Sequence, residues 1–541
     1  TIQAEQNRVI RAPMEKSLIV QGSAGSGKTT IALHRIAYFM YKYEKTFDPE
    51  TFMIIAPNKL FINYISEVLP ELGVENIKQT TFIDFMKELV GKKYKLVGEN
   101  QLLLEIIENK TEDIYMKKWY SSFKGSLEFK DIVSNYLDEL EAGYTPDVDF
   151  KLGEFVLEEY KVLKKAITED YAMFPLYKRV DKLKENLRTK LKQRKKDILK
   201  EVKESYDSKI DELRESPIYS EDTRLEIVSL IDERDSKIDE LSKKSKTAVN
   251  SYIKAFEKRE VFDYYIDLMA DPEKILKYSR GNLSVEKAEY LSRVSLDLLS
   301  KKQIHLEDYP PLSYIAHRVQ GFKSEINIKS VVIDEAQDLS LFQFYVLKNI
   351  LNTDRFTILG DISQGIHSYR AIQDWQEVES EIFGKDKVSY KQLVQSYRTT
   401  VEIMDGANRV ISKLQNKNIT LAKPVIRHGR NPELFDFAEE NALVEKLVSD
   451  IKALGEKYKS IALICKTTEE SKHLRKLLSK LKLTVHIIDD KQEVFESGVS
   501  IVPAHLSKGL EFDAVLVVSL FEDYRETDIA VSYTHLRAHE T

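Results

Sequence analysis

The spacing of apolar and polar positions changes period several times along the chain. Over residues 1–95, short apolar runs at 18–20 and 52–56 alternate with amphipathic stretches. This is the rhythm of parallel strands joined by helices that cover both faces of a sheet. It stops near Lys92 and resumes with apolar runs at 330–333 and 356–359, so the residues between read as an insertion into the first sheet domain. A second α/β region is predicted from about Gln395, with strands at 460–465, 499–503 and 514–518.

Inside the insertion the period becomes that of a coiled coil. Leu183, Leu187, Leu191, Ile198, Val202, Tyr206, Ile210 and Leu213 recur at threes, fours and a seven, and Ile227, Ile231, Ile238, Leu241, Ala248 and Tyr252 repeat the pattern. The heptapeptide Asp-Ser-Lys-Ile-Asp-Glu-Leu occurs at 207–213 and again at 235–241, an offset of four heptads. Glu215-Ser216-Pro217 breaks the helix between them, which predicts an antiparallel hairpin at about 180–262 with charged, solvated flanks. Two uses stay open: an inert spacer, or a projecting arm that docks on a protein partner.

At 541 residues the chain exceeds one ordinary domain, and its 31% charged and 42% apolar residues fit soluble globular structure. No apolar run approaches the length of a membrane span. The single cysteine, Cys465, lies in the apolar run 461–465 and reads as a small core residue; one thiol suits a reducing cytoplasm. A net charge of −6 gives no global basic footprint, so any nucleic-acid binding must use a local groove. The first residue is Thr1 rather than Met, which leads to the expectation of an upstream segment.

The clearest chemistry lies between the first apolar run and the first amphipathic helix. Gly22-Ser23-Ala24-Gly25-Ser26-Gly27-Lys28-Thr29, followed by Thr30, has the form of a P-loop and predicts binding of a nucleoside triphosphate. Its glycines let successive backbone N–H groups surround the β-phosphate at a helix N-terminus. Lys28 is expected to reach the β- and γ-phosphates, and the Thr29 hydroxyl to hold Mg²⁺. Asp334-Glu335-Ala336-Gln337-Asp338 follows the apolar run 330–333. Asp334 at a strand's carboxyl end can bind the hydrated Mg²⁺, and Glu335 can orient or deprotonate the attacking water. Gly360-Asp361-Ile362-Ser363-Gln364 would bring the Gln364 amide to the γ-phosphate as a sensor.

These motifs, with Gln395-Ser396-Tyr397-Arg398-Thr399 and His505-x-x-Lys508-Gly509-Leu510-Glu511-Phe512, stand in an order that resembles UvrD/Rep-like superfamily 1 helicases. The resemblance implies an α/β fold of two RecA-like P-loop NTPase motor domains with a helical, coiled-coil-bearing insertion in the first. The expected division is 1–95 plus 311–394 for the first motor domain, 96–310 for the insertion and 395–530 for an incomplete second motor domain. It further implies that Gln6 reads the adenine edge, Tyr397 stacks on the base, Arg398 reaches the γ-phosphate and Glu511 holds the ribose of ATP. A track for the DNA strand would use Pro57, Asn58, Phe61, Tyr64, Thr81, Phe82, Tyr369, Arg370 and His505, since aromatic rings stack on bases without reading sequence. Phe61 and Tyr64 also have the spacing of core positions, and Tyr369 stands where these helicases usually carry tryptophan.

Only 107 positions separate Arg398 from His505, too few for the large extra domain that UvrD and Rep carry there. The phrases around Ile19–Arg35 and Val68–Gly73, with the long insertion, look like the HelD branch. That similarity implies an ATP-dependent motor that remodels or recycles complexes of bacterial RNA polymerase, its expected partner beside single-stranded or duplex DNA. Two alternatives are a conventional 3′-to-5′ DNA helicase acting in repair and a polymerase-binding factor that uses ATP only as a conformational ligand. Residues 531–541 look like a non-native tail, so Arg537 is given no role and ATP hydrolysis by the chain as it stands is expected to be impaired.

Overall fold

In a computed structural model of the chain, residues 4–521 are described except for 24, 44–47, 109–112, 217–219, 323–325, 398, 414–420, 489–497, 509 and 511. The P-loop residue Ala24, the helix-breaking Pro217, the expected ATP contacts Arg398 and Glu511, and the tail with Arg537 therefore lie outside the described residues.

The first sheet has six strands: β1 (Ser17–Gly22), β2 (Phe52–Ala56), β3 (Lys78–Thr81), β4 (Ser330–Ile333), β5 (Phe356–Gly360) and β6 (Val388–Leu393). Their spatial order is β6-β1-β5-β4-β2-β3, and every pair is parallel. The central strands are continuous apolar runs because helices cover both faces; Leu18, Ile19 and Val20 are each at most 1% exposed. Helices α1 (Lys28–Lys42) and α2 (Lys59–Glu71) bury Ile31, Ile36, Phe39, Ile65 and Leu69 against this sheet. Each such side chain contributes roughly 1.5–3 kcal/mol.

The second sheet, β7 (Ser460–Cys465), β8 (His486–Ile487), β9 (Gly498–Pro503) and β10 (Ala514–Val518), is also parallel, in the order β8-β9-β7-β10. Cys465 is fully buried in its central strand.

The chain resolves into two compact units. One consists of the described parts of Thr1–Phe129, Ser300–Pro310 and Ile326–Thr541 and holds both parallel sheets. The other, Lys130–Leu299 with Pro311–Glu325, is helical apart from a short antiparallel pair, Phe150–Leu152 with Phe155–Glu158. Its longest elements are α3 (Leu176–Arg214) and α4 (Glu221–Ile253), the predicted hairpin. Leu183, Leu187, Leu191, Ile198, Val202 and Ile210 of α3 are buried, as are Ile227, Leu241 and Tyr252 of α4; Val249, rather than the expected Ala248, is the buried residue of that turn. The repeated heptapeptide meets itself through Arg234, whose guanidinium lies 2.7 Å from Asp207 and 2.9 Å from Asp235. Among the described residues no helix is long and apolar enough to cross a membrane.

One buried cation ties the first sheet to the chain's start. Arg35 occupies a position on the apolar stripe of α1 and is 2% exposed. Its guanidinium donates to the carbonyls of Val9 (2.9 Å), Ile10 (3.1 Å), Ala12 (2.7 Å) and Pro13 (3.2 Å) and to Thr357 Oγ1 (3.1 Å). Burial lowers its pKa to about 10. Replacing it by leucine removes every one of these donors while leaving the buried Val9, Ile10 and Ala12 carbonyls without them. Arg35→Leu is expected to lower stability by about 3–5 kcal/mol, read as an earlier first transition in urea unfolding; an unchanged transition would mean that the N-terminal segment is held by other contacts.

Candidate functional site

The site is built at the carboxyl ends of β1, β4 and β5, where a parallel α/β sheet leaves its crevice. At the end of β1 the chain turns through the P-loop, and Gly27, with φ of +77°, passes it into α1. A side chain at Gly22 is sterically barred, because a Cβ there would lie 2.5 Å from Lys28 Cγ. Lys28 is 8% exposed and its Nζ donates to the Gly22 carbonyl at 3.0 Å. Ser23 donates its amide to the Leu393 carbonyl (2.8 Å) and its hydroxyl to that of Val394 (3.1 Å), anchoring the loop to β6. Thr30 is exposed on the first turn of α1.

The two halves of the predicted magnesium site come together. Thr29 Oγ1 donates to Asp334 Oδ2 at 2.6 Å, across 305 residues of sequence. Burial, with the neighbouring Glu335 charge adding to it, raises the Asp334 pKa to about 6. A hydroxyl beside a buried carboxylate is the hard oxygen donor set that Mg²⁺ takes, and a cation there would supply the charge that burial withholds. Glu335 follows in a left-handed backbone conformation, φ 51°, unusual for a residue with a side chain. Its carboxylate accepts from Gln337 Nε2 at 2.6 Å and lies 3.4 Å from Lys508 Nζ. Lys508 also pairs with Asp338 at 2.5 Å. Burial opposes the Lys508 charge, but Asp338 and Glu335 outweigh it and hold its pKa above the ordinary value.

A buried polar network, unread in the sequence beyond Gln364, fixes these strand ends. Asp361 is fully buried after β5, and its Oδ1 accepts from Gln21 Nε2 (2.8 Å) and the Ser363 amide (3.1 Å), while Gln364 Nε2 and Ser363 Oγ also donate to its carboxylate. Gln364 is thereby positioned by Asp361. Gln21 Oε1 in turn accepts from Trp375 Nε1 at 2.6 Å and the Ile362 amide at 3.2 Å. Gln337 Oε1 accepts the Asp361 amide at 2.9 Å. Gly360 admits this crossing, since a Cβ would sit 2.5 Å from Gln337 Oε1. The available signal was Gln21 itself, a polar residue closing an otherwise apolar strand.

The expected base-binding residues also lie beside the loop. Gln6 is 9% exposed, and its Nε2 donates to the Ser26 carbonyl at 3.0 Å. The Tyr397 amide donates to the Gly25 carbonyl at 2.9 Å, and its hydroxyl donates to Gln395 Oε1 at 2.6 Å.

The strand-track residues divide by environment. Pro57 and Asn58 are exposed, and Asn58 Oδ1 caps α2 by accepting the Phe61 amide at 2.9 Å. Phe61 packs partly on the core of the first sheet, whereas Tyr64, 6.2 Å away between ring centroids, is 49% exposed. Thr81 is buried and caps the helix Phe82–Val90 by accepting the Asp84 amide at 3.0 Å; Phe82 is itself a core residue. Tyr369 packs beside Leu103, Ile107, Ile366 and Ala504. Arg370 lies 3.7 Å from Glu307 and donates to the Glu99 carbonyl at 3.2 Å; His505 is buried. Of the track, Tyr64 alone offers a largely open ring.

Comparison with known proteins bears on these motifs. Residues 2–376 match the UvrD/REP helicase N-terminal domain, and residues 391–497 match the UvrD-like helicase C-terminal domain. Among similar curated proteins, ATP-dependent DNA helicase srs2 of Schizosaccharomyces pombe is 26% identical over 31% of this chain and 20% of its own length. DNA helicase II of Haemophilus influenzae is 25% identical over 38% of this chain and 26% of its own. ATP-dependent DNA helicase Rep of Buchnera aphidicola is 28% identical over 30% of this chain and 25% of its own. The match thus spans well under half the length of each of these relatives. With the N-terminal match alone covering more than half of its residues, and the P-loop and Asp334-Glu335 pair assembled at the strand ends, the chain belongs to the UvrD/REP helicase family.

Proposed function

We propose that the chain is an ATP-dependent DNA translocase or helicase motor. The observation that carries this reading is the convergence of Lys28, Thr29, Asp334 and Glu335 at the carboxyl ends of the central strands β1 and β4. Thr29 and Asp334 would hold Mg²⁺, which supplies positive charge to the transferring phosphates. Lys28 binds the β- and γ-phosphates. Glu335 orients the attacking water and accepts its proton, while Gln364, held by Asp361, senses the γ-phosphate. Arg398 adds its charge to the same phosphate, and Gln6, Tyr397 and Glu511 hold the nucleoside. Tyr64, with the likewise exposed Pro57 and Asn58, provides the exposed end of a base-stacking track.

The relatives named above are DNA helicases, and this supports DNA as the substrate over the expected HelD-like action on RNA polymerase. The polymerase reading keeps one specific support, the long helix pair inserted in the first sheet domain.

Three outcomes check these assignments. Lys28→Ala is expected to abolish nucleotide binding and turnover together. Glu335→Gln, which leaves the phosphate contacts intact, is expected to keep nucleotide binding while turnover falls roughly 10²–10⁴-fold; undiminished turnover removes Glu335 from its role. Single-stranded DNA is expected to stimulate ATP hydrolysis by the protein, and a 3′-tailed duplex to be unwound. If DNA has no effect on turnover while core RNA polymerase is retained on the immobilised protein, and deletion of 180–262 releases it, the polymerase reading replaces the DNA one.

A further inference from the structure

Five charged side chains leading away from Glu335 alternate in sign. Glu335 lies 3.4 Å from Lys508, and Lys508 pairs with Asp338 at 2.5 Å. Asp338 and Arg370 act on each other through space, and Arg370 in turn lies 3.7 Å from Glu307. The order from Glu335 to Glu307 is therefore negative, positive, negative, positive, negative. The side chains of Glu307 and Arg370 are each only 10% exposed, so water screens their attraction little. Burial opposes the Arg370 charge, but Tyr369, Glu307 and Asp338 together hold its pKa above the ordinary value.

Glu307 belongs to none of the sequence motifs. It sits in the helical turn Leu306–Asp308, on the stretch by which the chain returns from the helical insertion. That turn is fastened to the helix Ile114–Lys124 on the outgoing stretch: Ser121 donates its hydroxyl to Glu307, and the buried Lys124 pairs with Asp308. Gly125, which follows this helix, packs so closely that a Cβ there would come within 3.2 Å of the Arg370 carbonyl oxygen and 2.8 Å of Ser340 Cβ. Its own carbonyl accepts the Phe342 amide at 2.9 Å. Both passages of chain at the root of the insertion thus meet the residues around Asp338 and Arg370.

Two atoms in this array have capacity to spare. Asp338 Oδ1 and Arg370 Nε are buried, and neither has a hydrogen-bond partner among the described residues. The charge of Glu307 competes with Asp338 for Arg370. Without it, Arg370 would turn its unused N–H to Asp338, and Lys508 would lose part of its partner. Lys508 would then close on Glu335 and hold that carboxylate away from the water it is to orient. We infer that Glu307 is a positioning residue for ATP hydrolysis, acting on Glu335 through Arg370, Asp338 and Lys508. The root of the insertion is thereby one end of a charge relay whose other end is the water-orienting carboxylate. The inference rests on the reading of the chain as an ATP-hydrolysing motor.

Steady-state ATP hydrolysis, with binding of a fluorescent ATP analogue measured beside it, tests the relay. Glu307→Gln is expected to lower kcat about tenfold while KM and nucleotide affinity stay within about twofold, because Lys28 and Thr29 are untouched. Glu307→Asp, which keeps the charge, should recover most of the rate. In a double-mutant cycle with Arg370→Gln the two losses should not add, since removing Arg370 leaves Asp338 to Lys508. The double variant carries neither charge of the pair, so it keeps the test decisive if Glu307→Gln alone fails to fold: it should fold and turn over within about threefold of the unaltered protein. Unchanged kcat in Glu307→Gln would overturn the inference, as would a Glu307→Asp variant as slow as Glu307→Gln, or a folded double variant slower than either single one. An unaltered protein that hydrolyses no ATP would overturn the motor reading and the inference with it, whereas normal turnover indifferent to Glu307→Gln overturns the inference alone.

Discussion

The Asp361 carboxylate, fully buried at the end of β5, is the constraint around which the nucleotide site is arranged. A buried carboxylate must be met by donors, and these come from separate parts of the chain: Gln21 from β1, and Ser363 and Gln364 from the turn after β5. Gln337, two residues after Glu335, returns the connection by accepting the Asp361 amide. The ends of β1, β4 and β5 are therefore held in one hydrogen-bonded frame before any ligand arrives. Preorganisation of this kind lets phosphate-binding and water-orienting groups act without rearranging their supports.

Glu335 sits between two demands in that frame. Gln337 donates to it from the first sheet's own network, and Lys508 approaches it from the segment that follows β9. Lys508 is shared with Asp338, so a single ammonium links the acidic motif to the second α/β region. A movement of that region would alter the field at the carboxylate.

How far the chain could be read from its sequence depended on where each strand and side chain sits. The buried strands β1, β2, β4, β5 and β7 announce themselves as apolar runs because both of their faces are covered. The edge strands of the first sheet did not: β3 is Lys78-Gln79-Thr80-Thr81, and β6 exposes Tyr390, Lys391 and Gln392. Coiled-coil spacing gave the hairpin, since two long helices can bury only the stripe they share. The P-loop and Asp334-Glu335 were legible because each is contiguous. The Gln21–Trp375 bond, 354 residues apart, has no local signature. Phe82 shows the converse limit, since an aromatic residue reads alike whether it stacks on a base or fills the core.

Arg35 has a consequence for where this protein can be shortened. Val9, Ile10, Ala12 and Pro13 supply the carbonyls that receive its guanidinium, and Gln6, on the same short helix as Val9 and Ile10, donates to the P-loop. Those few residues are thus part of the fold of the first sheet and not a leader to it. Trimming the chain at residue 7 would remove Gln6 and leave the sheet intact. A cut at residue 14 would strand a charged group inside the protein, and so would turn the loss of one side chain into the loss of the contacts that seat α1.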